Sequence, residues 1–339
     1  MSDFALSCPA PLPERDRVLM AHGGGGRLMR ELIENLFAAR LQPEHETDAA
    51  TLALGARRLA FTTDSFVVSP VFFPGGDIGS LAVHGTVNDL AMMGAEPAAL
   101  SAAFILEEGL ELDTLRRVVD SMAEAARRAG VRIVTGDTKV VERGRADKLY
   151  ITTSGVGVLI HDGELAPWRV AEGDEIVLSG DIGRHGMAVM SAREGLAFES
   201  EIVSDSAPVH REALSLLRNG VRVHCMRDLT RGGLASAVIE IARAGKADIE
   251  LEESRIPVRE DVRAACELLG FDPLYAANEG RFVAFVAAGE GERAAALLPS
   301  GAVIGRVESK GAGAVVLRSV IGAGRVLDLL SGEQLPRIC

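Results

Sequence analysis

A handful of side chains in this sequence have the types and spacing to do chemistry. Cys339 is the last residue given, reached through Gly332-Glu333-Gln334-Leu335-Pro336-Arg337-Ile338. A thiol in that place has no following chain to hold it in a core, and it suits a group that must travel. The stretch from Ser331 to Cys339 reaches roughly 30 Å when extended, and Pro336 disfavours helix at Leu335. The plain alternative is a frayed end that happens to finish in cysteine. Asp64 follows an apparent strand in Thr62-Thr63-Asp64-Ser65. Asp89 stands beside Asn88 in a predicted helix, and Asp137 follows an apolar run in Thr135-Gly136-Asp137, with Lys139 two residues on. Carboxylates at strand ends close to glycine suit Mg²⁺ and phosphate, because Mg²⁺ takes hard oxygen donors and keeps several waters. Turn chemistry is the simpler account of any one of them; three together, with Lys139, point to a nucleotide site. Glu279, in Asn278-Glu279-Gly280-Arg281 just before a strand at Phe282, is placed as a catalytic carboxylate would be, or as a surface turn would be.

Glycines mark the places where backbone donors could meet an anion. His22-Gly23-Gly24-Gly25-Gly26 precedes a helical pattern over 27–40. Consecutive glycines such as Gly24 and Gly25 let N–H groups approach a phosphate, and a helix N-terminus favours negative charge. A flexible linker has the same composition. The spacing is neither a Walker A loop nor G-x-G-x-x-G. Gly180-Asp181-Ile182-Gly183-Arg184-His185-Gly186 and Asp228-Leu229-Thr230-Arg231-Gly232-Gly233 each lead into a further helical pattern.

The elements that must position these groups follow from periodicity. Strands are expected over 58–61, 99–106, 131–134 (as a buried strand) and 149–159. Helices are expected over 78–93 and along the stripe Leu112, Leu115, Val119, Met122, Ala126 and Ala129. Residues 166–173 read as a linker. Beyond it come helical stripes at Leu234 to Ile241 and Val262 to Leu269, with strands at 175–178, 249–251, 282–287, 303–307 and 314–317. Neither half has a strict βαβ rhythm. The expectation is α+β, with two domains: a loose extension over 1–17, a first domain over 18–167, a second over 168–325, and a tail over 326–339 that carries Cys339.

Composition bounds the function. The 339 residues are 47% apolar and only 4% aromatic, so the core is aliphatic. The formal net charge of −12, with no basic cluster against it, argues against a nucleic-acid backbone as the main ligand. Cys8, Cys225, Cys266 and Cys339 lack C-x-x-C spacing, which argues against a zinc site or a disulfide framework and for a reducing compartment. Cys266 shares an apolar helical face with Val262, Ala265 and Leu269 and reads as core. No long apolar run marks a signal peptide or a membrane span, so a cytoplasmic location is expected.

Four segments together resemble the ATP-binding motifs of the aminoimidazole ribonucleotide synthetase superfamily: Thr62-Thr63-Asp64-Ser65, Val87-Asn88-Asp89-Leu90-Ala91-Met92-Met93-Gly94, Thr135-Gly136-Asp137-Thr138-Lys139-Val140 and Asp228-Leu229-Thr230-Arg231-Gly232-Gly233-Leu234. Ser179 to Gly186 and the closing Pro336-Arg337-Ile338-Cys339 are similar to its hydrogenase-maturation branch. The resemblance covers nearly everything from Val18 on. It implies a two-domain fold, a homodimer that pairs its N-terminal sheets, and ATP with Mg²⁺ held by Asp64, Asp89 and Asp137. It implies nucleotide contacts from Gly24, Gly25, Asn88, Asp228 and Asn278, and catalytic roles for Cys339, Glu279 and Lys139. The implied reaction dehydrates an S-carbamoyl group on Cys339 to an S-cyano group. The carbamoyl group would come from a carbamoyltransferase, HypF, and the cyanide would go to iron on a HypC–HypD scaffold complex. Another ATP-dependent synthetase or small-molecule kinase of the superfamily, or a nucleotide-binding adaptor, would explain the Asp motifs but not the cysteine.

Overall fold

The structure, a computed structural model, describes residues 26–38, 47–55, 57–195, 201–330, 335 and 337–339. Gly24 and Gly25, the extension over 1–17 and Pro336 lie outside the described residues.

Seven strands build the first domain: β1 (Ala50–Leu54), β2 (Arg57–Phe66), β3 (Phe72–Phe73), β4 (Gly76–Asp77), β5 (Ala95–Glu107), β6 (Arg132–Val141) and β7 (Leu149–Leu159). Five of them form one sheet in the order β1-β2-β7-β5-β6, while β3 and β4 make a small ribbon. All pairs in the large sheet are antiparallel except β5 with β6, which the helix Leu112–Ala129 connects as a crossover.

The helix Ile78–Met92 starts at Asp77, whose carboxylate accepts from the N–H groups of Gly79 at 2.7 Å and Ser80 at 3.3 Å, while the Ser80 hydroxyl accepts from Asp77 N–H. It is apolar and buried on nearly every side, because the first sheet lies on one side and the second domain on the other. Gly79 lets the helix Leu112–Ala129 come close: a Cβ there would stand 2.3 Å from the Val118 carbonyl oxygen. That contact sets the rotation of the second helix. Val118, Met122, Ala125, Ala126 and Ala129 face inward, whereas Leu112 and Val119 are exposed. The expected stripe is therefore correct over its last turns and displaced by one residue near Val119.

A second correction concerns β6. Val131 is buried, but the strand from Arg132 to Val140 is exposed throughout, with Val134 at 56% and Val140 at 67%. The apolar run is a sheet edge, not a covered strand.

The second domain adds β8 (Glu175–Leu178), β9 (Val223–Asp228), β10 (Ala247–Glu252), β11 (Phe282–Val286), β12 (Ala302–Lys310), β13 (Val315–Arg318) and β14 (Gly324–Leu327). They lie in the order β14-β13-β10-β12-β8-β11-β9, and every residue of β11 is buried. The helices Arg184–Glu194, His210–Arg218, Gly233–Gly245 and Glu260–Leu269 cover it. Strands and helices are mixed in both halves, as α+β requires. One hydrophobic cluster joins the halves, taking Phe66 and Phe73 from the first, Met187 and Cys266 from the second, and Ile338 and Cys339 from the end of the chain. Among the described residues, no helix is long and apolar enough to cross a membrane.

Candidate active site

Strand ends and one helix bring the acidic residues together between the domains. Asp64 lies near the end of β2, Asp89 on the last turn of the buried helix, and Asp228 at the end of β9; Glu279 precedes β11. Thr62 Oγ1 donates to Asp89 Oδ2 at 2.7 Å, and Ser65 N–H donates to Asp64 Oδ1 at 2.8 Å. Burial raises the Asp89 carboxyl well above the ordinary aspartate range, and the charges of Asp228 and Asp64 raise it further. Asp228 is raised well above that range by burial and then by Asp48, and Asp64 is raised by burial against the pull of Arg231. Glu279 is 2% exposed, and its Oε1 has no hydrogen-bond partner among the described residues. Burial, then Asp228 and Asp64, hold its carboxyl well above the usual glutamate range.

Cys339 shares this setting. The thiol is 8% exposed, burial pushes its pKa up, and it feels the charges of Arg231, Glu279, Asp64 and Asp228. The end of the sequence does find a core to hold it, which reasoning from an unanchored terminus does not foresee. Here it is a neutral thiol among carboxyls, not a thiolate.

Asp137 and Lys139 stand apart from this group. Both project from the exposed β6, and Lys139 Nζ bonds both Asp137 oxygens, at 2.8 and 2.7 Å. That bond, first of all, holds the Asp137 carboxyl below its ordinary value. Within one chain the structure does not bring Asp137 to Asp64 and Asp89.

The two asparagines singled out for the nucleotide are taken up by the fold. Asn88 Nδ2 donates to the carbonyls of Ala207 at 3.1 Å and Glu279 at 3.4 Å, and its Oδ1 accepts from Val209 N–H at 2.8 Å. Asn278 is fully buried. Its Oδ1 accepts from Gly183 N–H at 2.7 Å, and its Nδ2 donates to the carbonyls of Ala276 at 3.0 Å and Leu229 at 3.3 Å. Both amides position backbone around Glu279 and the helix starts.

Several residues of this centre carry no signal in the sequence. Asp205 is buried and accepts from the N–H groups of His185, Glu279 and Gly280 at 3.0, 3.2 and 3.1 Å, which fixes the Glu279 backbone. Gly280 makes that approach possible, since a Cβ there would lie 2.0 Å from the Asp205 carbonyl oxygen. Arg227 pairs with Asp48 at 2.9 Å and with Glu240 at 2.8 Å behind Asp228. A Ser-Asp-Ser segment or a lone arginine has no spacing from which such a partner could be read.

A cavity of about 260 Å³ opens beside Asp228. Gly26, Arg30, Thr230, Arg231 and Gly233 are among its walls. Gly232 and Gly233 have φ of +80° and +59° and start the helix Gly233–Gly245. The Gly233 N–H is taken by the Thr230 carbonyl at 3.0 Å, and the positive end of the helix together with Arg231 borders a space that suits an anion. Among the described residues, no three His, Cys, Asp or Glu side chains stand in ready-made coordination geometry. The hard oxygens of Asp64, Asp89 and Asp228, mutually repelling and short of cations, nevertheless fit Mg²⁺.

Comparison with known proteins shows the family to which this fold belongs. The model of the AIR synthase related protein N-terminal domain matches residues 46–159, and that of the C-terminal domain matches residues 171–318. The carbamoyl dehydratase HypE of Rhodobacter capsulatus is 52% identical over 337 residues, covering 96% of this chain and 98% of the relative. A crystal structure of a HypE–HypF complex matches with a TM-score of 0.84 and 44% identity, over 88% of this chain and 99% of that one. The crystal structure of HypE in complex with ATP matches with a TM-score of 0.81 and 46% identity, over 95% of this chain and 100% of that one.

Proposed function

From the premise that the chain belongs to the carbamoyl dehydratase HypE family of AIR synthase related proteins, we propose that it uses ATP to dehydrate an S-carbamoyl group on Cys339 to a thiocyanate. The observation that carries this reading is the burial of Cys339 within electrostatic reach of Glu279 and Arg231. Burial among Glu279, Asp64, Asp228 and Arg231 puts the thiol where groups for acid-base and phosphoryl chemistry gather.

The chemistry sets what each residue does. The carbamoyl oxygen is a poor leaving group. It attacks the γ-phosphorus of ATP, and ADP departs. Loss of both protons from nitrogen then breaks the C–O bond; phosphate leaves with the oxygen, and the carbon becomes a nitrile. Asp64, Asp89 and Asp228 would hold the Mg²⁺ of the nucleotide, which supplies charge neutralisation on the phosphates. Once that negative charge is offset, Glu279 loses two of the influences that keep it protonated, and it takes a proton from nitrogen. Arg231 and the N-terminal end of the helix Gly233–Gly245 would orient phosphate oxygens. Asp205 and Asn88 keep Glu279 in place by holding its backbone N–H and carbonyl.

The exposed apolar edge at β6 supports a homodimer, since it suits pairing with a second copy. Asp137 and Lys139 would then face the site of the twin, Asp137 as a further Mg²⁺ ligand and Lys139 supporting the transferring phosphoryl group. The carbamoyl donor would be HypF, with which the HypE of the solved complex is assembled. The cyanide would pass to a HypC–HypD iron scaffold during [NiFe]-hydrogenase maturation, in the cytoplasm.

Intact mass after incubation with the carbamoyl donor tests the reading. Wild type should gain a carbamoyl group and, on ATP addition, lose the mass of one water. Glu279→Gln should bind ATP and hold the carbamoyl form, and Cys339→Ala should gain neither group. A cyano adduct on Cys339→Ala would end the assignment.

A further inference from the structure

The last three residues are gripped from both domains. On the first-domain side, Val67 N–H donates to the Cys339 carbonyl at 3.0 Å and Ser69 N–H to the Arg337 carbonyl at 3.2 Å. Arg337 returns these contacts: its Nε donates to the Val67 carbonyl at 3.0 Å and its Nη1 to Asp147 Oδ2 at 2.7 Å. Its guanidinium also lies 5.9 Å from the centre of the Tyr150 ring. On the second-domain side, Arg193 Nη2 donates to the Arg337 carbonyl at 2.7 Å, and His185 Nε2 meets the Ile338 carbonyl at 2.7 Å.

A carbonyl only accepts, so Nε2 of His185 carries the hydrogen, and Nδ1 accepts from the Ser204 hydroxyl at 2.8 Å. His185 is completely buried, edge-on to the Phe73 ring. Arg337 has a φ of +50°, in the left-handed region that costs a non-glycine residue about 1 kcal/mol or more. That turn is maintained by the contacts around it.

We propose that Arg337 with Asp147, and the Ile338 carbonyl with His185, form a two-point latch that sets the position of Cys339 beside Glu279. Asp147 and His185 are positioning residues, since neither touches the thiol. Docked, the thiol is closed to any electrophile from outside; released, it can be loaded. The strength of the latch therefore divides the time of Cys339 between loading and dehydration. That catalytic use rests on the function proposed above, whereas the latch itself does not.

Alkylation of Cys339 in the full chain by iodoacetamide, followed in the C-terminal peptide by mass, reads the open fraction when closing outpaces reaction. Asp147→Asn alters one half-exposed side chain and should speed alkylation by roughly two- to fivefold, the upper part of the range of a partly exposed ion pair. Arg337→Gln removes the same ion pair and also the Nε bond to the Val67 carbonyl, so it should speed alkylation at least as much, and the two together should give less than the product of their separate effects. His185→Leu should also speed alkylation, and His185→Gln, which keeps a side-chain N–H, should return it to near the wild-type rate. Cys225, buried in a separate hydrophobic cluster of the second domain, is the internal control. Should His185→Leu fail to fold, the Asp147 and Arg337 variants carry the test alone. Rates for Asp147→Asn within about 1.5-fold of wild type, or equal acceleration at Cys225, would overturn the latch. A failed latch in a protein that still forms the cyano adduct removes only the latch; an intact latch without that adduct removes only the proposed reaction.

Discussion

At the scale of single residues, the centre is a set of carboxyls that keep one another protonated. Asp89, Asp228 and Glu279 all have folded pKa values well above their ordinary ones, with burial as the first cause. A raised folded value means that the folded state binds more protons than the unfolded one. Its contribution to stability is complete below the ordinary carboxyl range near pH 4 and is lost as pH rises through the raised values. His84, pushed down to about 4, and His185, also lowered, act in the opposite sense, but below the ordinary histidine value of 6.5. Above that value the histidines no longer contribute, and the carboxyls should decide the sign. The unfolding free energy of the Mg²⁺-free protein, followed through its thermal midpoint, should fall as pH rises through the raised carboxyl values, by at most about 1.4 kcal/mol per pH unit for each proton lost. Asp89→Asn should flatten the slope, and a midpoint that rises with pH would contradict it. Asp64 and Glu279 were legible as candidates because they stand near a strand end or beside glycine, and Asp89 because it stands beside Asn88 in a predicted helix. Asp48 and Asp205 were not, since what marks them is a partner far away in sequence.

At the scale of elements, the helix starts and strand ends were readable, whereas the structural bonds made by the asparagines beside them were not. Asn278 stands where a nucleotide ligand would stand in the sequence, yet its amide ties three backbone groups from three segments. Asn278→Ala should therefore lower stability by about 2–4 kcal/mol. The effect should appear as a lower urea midpoint with an unchanged slope. A variant as stable as wild type but unable to bind ATP would return the side chain to the nucleotide. The helix Leu112–Ala129 shows another limit. Periodicity locates the helix and its inner face to within one residue. Which of Val118 and Val119 turns inward depends on the close approach at Gly79, a contact between two helices that no single helix encodes.

At the scale of the whole molecule, two features lay beyond the sequence: where the cysteine rests, and what covers β6. An apolar run of this kind reads as interior, and here it forms an edge. If a second copy covers it and Asp137 serves the twin, two defective chains should repair each other. Mixed dimers of Asp89→Ala and Asp137→Ala should recover part of the wild-type ATP turnover after subunit exchange, because one of their two centres is intact. Sites built within one chain would give no recovery, since every centre would carry a defect. The helix Ile78–Met92 sets a different condition, on how the polypeptide can be divided. It belongs to the first half by sequence, yet the helix His210–Arg218 and β9 of the second half supply part of its cover. Severing the chain between Ala166 and Gly173 would not yield a pair of independent modules: the leading fragment would present a greasy rod to water and clump, so protein engineers who graft or shuffle this catalyst must move both halves as a single cassette.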